Sequence, residues 1–344
     1  MQALRFVAAA LVVLAHATYY TSERLDPSMR VWYEGGLGVM LFFGISGFVM
    51  LLTADGRGGR DWADFALRRV IRIAPLYWIV TTIKLITLVA VPSLVLHAAL
   101  RWDTTVLSYA FLPSRNIDGD VQPLFAVGWT LIFEMAFYLL VSVAIALRVD
   151  PIRFCGIVLS LVSLGNILRG PDWPAWAFYF DPIVLFFLAG MVLARWTIRR
   201  NTRSALLWGA WIVALWTLIE FVGPYASGNA VSVITWVAIV GILLVAVLFE
   251  ERISPFIPRW LTWLGDASYS LYLTHPLIAP AVPAALAIVG LTGARFGWVS
   301  VTLALGAAVV ASCVCYLIVE RPTTRGLNGL RERWATRKHG AHAR

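Results

Sequence analysis

The chain has 344 residues, of which 60% are hydrophobic and only 14% charged, and its mean hydropathy is +0.78. Those proportions exclude a soluble globular domain, and the net charge of +9, which in a soluble chain would point to nucleic acid, has to be judged by where the basic residues fall. Apolar runs long enough to cross a bilayer recur from end to end with short connections, so the expected fold is all-α, a polytopic transmembrane helical bundle of about ten spans.

In chain order the spans are expected at 3–20, 36–53, 74–91, 127–147, 153–168, 176–195, 204–222, 231–249, 268–289 and 296–318. Arg24, Arg30, Arg101, Arg115, Arg169 and Arg295 fall on one side of this arrangement and Lys84 inside a span, so 21 of the 28 basic residues lie on the side of the N-terminus. The positive-inside rule then gives an N-in, C-in orientation. Residues 1–322 form the membrane domain, and 323–344 a basic cytoplasmic tail suited to anionic headgroups of membrane lipids. Cys155, Cys313 and Cys315 sit in apolar segments without metal-ligand spacing and read as small hydrophobes. Tryptophans near the span ends, such as Trp32, Trp102 and Trp196, fit interfacial belts. The longest connection, Pro92 to Phe125, lies outside and carries Asp103, Asp118, Asp120, Trp102, Tyr109 and Arg115. That composition suits a polyhydroxyl ligand, and equally an ordinary solvated loop. Ser93 to Arg101 is too short to span and suits a re-entrant or interfacial helix.

Within the first span, Arg5 and His16 are separated by three turns plus about 20°, so they share a helix face about 16 Å apart. Ala8, Ala9 and Val12 lie between them, a strip of small residues along which a thin ligand would fit. Set against that are a snorkelling Arg, a packing His, and a cleaved signal peptide ending at Ala15-His16-Ala17. Ionisable residues inside spans are costly, which makes Lys84, Glu134, Asp181, Glu220 and His275 functional candidates. Glu134 shares a face with Thr130 and Tyr138, and its depth along the span is close to that of His16. Pro276 frees the carbonyl of Tyr272 and kinks the ninth span beside His275, so that Ser268, Tyr272 and His275 suit a polar cavity wall or plain packing. Pro75 is placed to open the third span, with Arg68, Arg69 and Arg72 just before it. This is an anion site at a helix N-terminus, or simply positive-inside charge. Gly44-Ile45-Ser46-Gly47 is no nucleophile elbow, and its glycines suit close helix packing.

These residues resemble the membrane-bound acyltransferase-3 proteins, and among them the exopolysaccharide O-acetyltransferase branch. The matching stretches run in order: Gln2 to Phe6 through His16, Gly38 to Met50, Arg68 to Tyr77, Trp129 to Glu134, Ser268 to His275, and Glu320-Arg321-Pro322. The resemblance places the family's Arg-x10-His motif on Arg5 and His16 and its Arg-x-x-Pro motif on Arg72 and Pro75. It implies transfer of an acyl group, here an acetyl group, from cytoplasmic acyl-CoA to a hydroxyl of an extracytoplasmic or lipid-linked polysaccharide, in the inner (plasma) membrane. No tightly bound cofactor, metal or nucleic acid enters that chemistry. Some members carry a fused hydrolase-like domain, which this chain lacks, and that favours direct acylation of a lipid-linked or nascent glycan. Others modify macrolides and similar hydroxylated metabolites.

The expected mechanism has the CoA phosphates on Arg68, Arg69 and Arg72 and the pantetheine arm along the Arg5 to His16 face. His16 is the general base and Glu134 orients its imidazole, with direct attack and an acyl-His intermediate both open. Tyr272 and His275 line the cavity on the acceptor side. Rival readings are a glycan or lipid transporter with His16, Glu134 and His275 along its path, and a membrane glycosyltransferase.

Overall fold

The structure, a computed structural model, describes residues 1–56, 61–91, 99–170, 172–224 and 228–342. Its helices are α1 (Gln2–Arg24), α2 (Gly36–Gly56), α3 (Trp62–Ala90), α4 (Trp102–Tyr109), α5 (Trp129–Ala146), α6 (Pro151–Leu164), α7 (Leu185–Arg199) and α8 (Thr202–Val222). After these come α9 (Ala230–Leu248), α10 (Glu250–Ile253), α11 (Arg259–Asp266), α12 (Ser268–Ile278), α13 (Ala281–Ile288), α14 (Ala294–Cys315) and α15 (Arg321–His342). Among the described residues there is no strand, only an isolated bridge between Arg115 and Val121. Among the described residues ten helical segments are long and apolar enough to cross a membrane. Leu206, Leu207, Ile234 and Ile288 stand exposed on the outer surface of the bundle, as side chains that face lipid do.

Helix starts follow local chemistry. Asp61 accepts from the Asp64 N–H to open α3, Asp150 from the Ile152 N–H with Pro151 in the first turn of α6, and Asn201 and Asn229 open α8 and α9 in the same way. The glycines of α2 are packing devices. A Cβ on Gly190 of α7 would fall 1.9 Å from the Gly44 carbonyl oxygen, and one on Gly47 2.0 Å from that of Phe187, so the two backbones touch. Aromatic rings then fill the centre around this seam, Phe187 stacking on Phe43 and Phe137.

The N-terminus and the final helix α15 meet the bundle at one end, called here the near end. The Met1 amine pairs with Glu250 at 3.0 Å, and Arg331 of α15 reaches Asp64 at the start of α3. His16, Lys84 and the loop around Asp118 lie toward the far end.

Three expectations are corrected. The third span begins at Trp62 rather than 74, because Asp61 caps it there, and Arg68, Arg69, Arg72 and Pro75 are all interior to α3. No helix N-terminus lies at Pro75 to hold an anion. The first half of the sixth span is a pair of 3-10 turns at Ala175–Phe180 and Pro182–Val184. Asp181 caps the second turn through the Ile183 N–H instead of lying mid-helix. The ninth span falls at Ser268–Ile288, close to the expected 268–289, and it is broken at the expected proline, α12 ending two residues after Pro276 and α13 beginning after Pro280. The strip of Ala8, Ala9 and Val12 is no open track. A Cβ on Gly38 of α2 would meet the Ala8 carbonyl oxygen at 2.2 Å, so α2 is seated on it. The final helix runs unbroken across residues 322 and 323 through a π-turn at Tyr316–Glu320. The short helix expected over 93–101 falls largely on residues 92–98, outside those described.

Candidate active site

Two cavities lie back to back in the bundle. The near cavity, about 80 Å³, is lined by Arg5 of α1, Ser46 of α2, Arg69 and Arg72 of α3, and Glu134 and Tyr138 of α5. Three guanidinium groups therefore face one carboxylate, an excess of positive charge deep in an apolar bundle. Glu134 is held in place, since the Ser46 hydroxyl donates to its Oε1 at 2.8 Å and the Tyr138 hydroxyl, one turn along α5, donates to the same oxygen. Arg5 reaches the Ser268 hydroxyl at 3.4 Å, and Arg69 lies over the rings of Phe65 and Tyr138. Arg68 is turned away from this cavity and pairs with Asp64, which also takes Arg331.

The far cavity, about 520 Å³, is lined by His16, aromatic rings including Trp32 and Trp129, Lys84, and the loop carrying Asp118 and Asp120. The His16 Nδ1 lies 2.9 Å from the Val12 carbonyl oxygen, one turn back. A carbonyl only accepts, so Nδ1 carries the proton and the neutral ring keeps a lone pair on Nε2. The tautomer that a general base needs is thus set by α1 itself. His275 stands against His16 with ring centroids 4.9 Å apart. It is fully buried, its Nδ1 faces the Leu271 carbonyl at 3.2 Å, and among the described residues its Nε2 has no partner. An orphaned buried acceptor typically costs about 1–3 kcal/mol.

Among the described residues only Val39 and Tyr272 line both cavities. The Tyr272 hydroxyl lies between the Val127 carbonyl at 3.0 Å and the Thr130 hydroxyl at 2.8 Å, which fixes the ring as a partition. The helix that carries it is tied on three sides. Arg5 meets Ser268, the Tyr269 hydroxyl donates to the Ile73 carbonyl at 2.7 Å, and Glu320 accepts from the Ser270 N–H at 3.1 Å and its hydroxyl at 2.6 Å. Glu320 is 5% exposed and acts as the carboxylate at the N-terminus of α12.

The expected pairing of Glu134 with His16 is therefore corrected. They line different cavities and share no hydrogen bond, because equal depth along two helices does not bring side chains together when Tyr272 and Val39 stand between. His275 lies behind His16 instead of on the cavity wall. Sequence reasoning missed Ser46 as the partner of Glu134, although it sits inside the quoted glycine motif, and it quoted Glu320-Arg321-Pro322 without giving Glu320 a role, because the last span was ended at 318.

The acyltransferase domain model matches residues 1–320 of this chain. The exopolysaccharide production protein ExoZ of Rhizobium meliloti (strain 1021) is 28% identical over 297 residues, 85% of this chain and 90% of that protein. No solved structure matches. With the family match extending over nearly the whole chain and ten helices fit to span a membrane, the chain belongs to the acyltransferase-3 family and is a multi-pass membrane acyltransferase.

Proposed function

We propose that the protein moves an acetyl group from cytoplasmic acetyl-CoA to a hydroxyl of an extracytoplasmic or lipid-linked polysaccharide, in the inner membrane and with both termini in the cytoplasm. One observation carries this reading: two cavities toward opposite ends of the bundle, guanidinium-rich at the near end and imidazole-bearing at the far end, meet at a single partition of Tyr272 and Val39. The excess of basic residues on the terminal side supports the orientation, and the name of the relative ExoZ supports a polysaccharide acceptor.

The near cavity is the donor side. Arg5, Arg69 and Arg72 meet the phosphates or the polar pantetheine arm, and Glu134 spaces the guanidinium groups. Arg68 stays with Asp64 and serves the helix and not the donor. The arm then passes the Tyr272 partition to bring the thioester beside His16. The acceptor hydroxyl in the far cavity gives its proton to His16 Nε2 as its oxygen attacks the thioester carbonyl. The C–S bond breaks, and the CoA thiolate takes the proton back from the imidazolium. The test is purified protein in nanodiscs with labelled acetyl-CoA and a glycan acceptor. Labelled ester on the glycan is the expected product, and its absence with folded, acetyl-CoA-binding protein overturns the reading.

A further inference from the structure

Two cations in the wall of the far cavity play no part in that chemistry. Arg24 ends α1 and Lys84 lies six residues before the end of α3, both half-buried and both lining the cavity that holds His16. Among the described residues neither has a carboxylate within ion-pair distance. Among the described residues the Arg24 Nε, shielded from solvent, has no partner, and the two cations face one cavity. Like charges drawn half out of water beside one another are unfavourable unless an anion joins them. The carboxylates across the cavity do not serve, for Asp118 and Asp120 are exposed on their loop and, among the described residues, make no ion pair with either cation. That loop is fixed by the Asn116 side chain, which accepts from the Asp118 and Asp120 N–H groups, and by Arg115, which donates to the Gly119 and Trp173 carbonyls. Its aspartates suit sugar hydroxyls, and the Trp32 and Trp129 rings suit a sugar face. An oxyanion is what the deeper pair of cations still lacks.

We propose that Arg24 and Lys84 form an anion subsite beside His16 that takes an oxyanion group of the acceptor, a sugar carboxylate or a phosphate of a lipid linker, so that acidic acceptors are selected over neutral ones. The proposal rests on the glycan reading of the far cavity.

The experiment uses the full-length protein in nanodiscs with acetyl-CoA and three acceptors. These are a glucuronate-containing oligosaccharide, the same oligosaccharide with its carboxylate reduced to the alcohol, and the reduced form joined through a diphosphate to a polyprenol. The wild type favours an anionic acceptor over the neutral one by about tenfold or more in kcat/KM, the size of a charge-assisted contact. Lys84→Met and Arg24→Gln bring that ratio toward one, and Lys84→Arg keeps it. A preference carried by the glucuronate assigns the subsite to a sugar acid, and one carried by the diphosphate assigns it to the linker. Equal use of all three acceptors, or a preference unmoved by Lys84→Met, overturns the subsite alone. Transfer to none of them overturns the glycan reading and the subsite with it.

Discussion

The near and far cavities share a wall and little else. The near one is small, and its one carboxylate is bonded to Ser46 and Tyr138 among three guanidinium groups. The far one is several times larger, ringed by aromatic side chains, and carries the His16 imidazole, whose Nδ1 faces a carbonyl of its own helix. A charged, tight pocket suits a ligand of fixed structure such as a nucleotide thioester. A wide, aromatic pocket suits a bulky and variable polyhydroxyl chain. The division of labour in this account follows from that contrast, with donor binding at one end and proton transfer at the other.

Variants that separate binding from chemistry break the comparison or sharpen it. The largest effect belongs to His16→Ala, which should lower kcat by about 10²–10⁴-fold and leave acyl-CoA affinity intact, since only the base is lost. Stopped single-turnover transfer with parallel donor binding reads both quantities. Arg72→Ala should act the other way, raising the acyl-CoA KM by about 10- to 100-fold, the loss of one charge-assisted contact. A kcat defect with unchanged KM would move Arg72 out of the donor site. Glu134→Gln should weaken donor binding by a similar or smaller factor, and by the same factor in the wild type and in His16→Ala, because the two side chains share no partner. Donor titrations of the four proteins measure this, and strong coupling would restore the direct Glu134 to His16 link. The smallest effect is that of Tyr272→Phe, which keeps the ring of the partition and loses only the hydroxyl's contacts with Val127 and Thr130, about 1 kcal/mol and about fivefold in transfer. A loss as deep as that of His16→Ala would make Tyr272 a reacting group.

The ten spans were legible because a bilayer demands long apolar runs, and the shared face of Arg5 and His16 because helical periodicity is rigid. The start of α3 was not. Arg68, Arg69 and Arg72 lower the hydropathy of its first turns, yet those side chains are accommodated by Asp64 and by the near cavity, which no window average registers. The near cavity itself needed tertiary information. Glu134 and His16 match in depth, and only packing reveals that α12 puts Tyr272 between them. Glu320 shows a third kind of limit, a buried carboxylate whose purpose, holding the Ser270 end of α12, lies fifty residues back in sequence.

The central claim is that one acyl group passes from a donor cavity at the end holding the N-terminus to an acceptor cavity at the other. It is tested most directly in proteoliposomes with a single protein orientation, with acetyl-CoA confined to one side and a membrane-impermeant oligosaccharide to the other. The account predicts acetylation when acetyl-CoA faces the terminal end and the oligosaccharide the far end, and none when the two are exchanged. Acetylation only when both substrates are on the same side would contradict it.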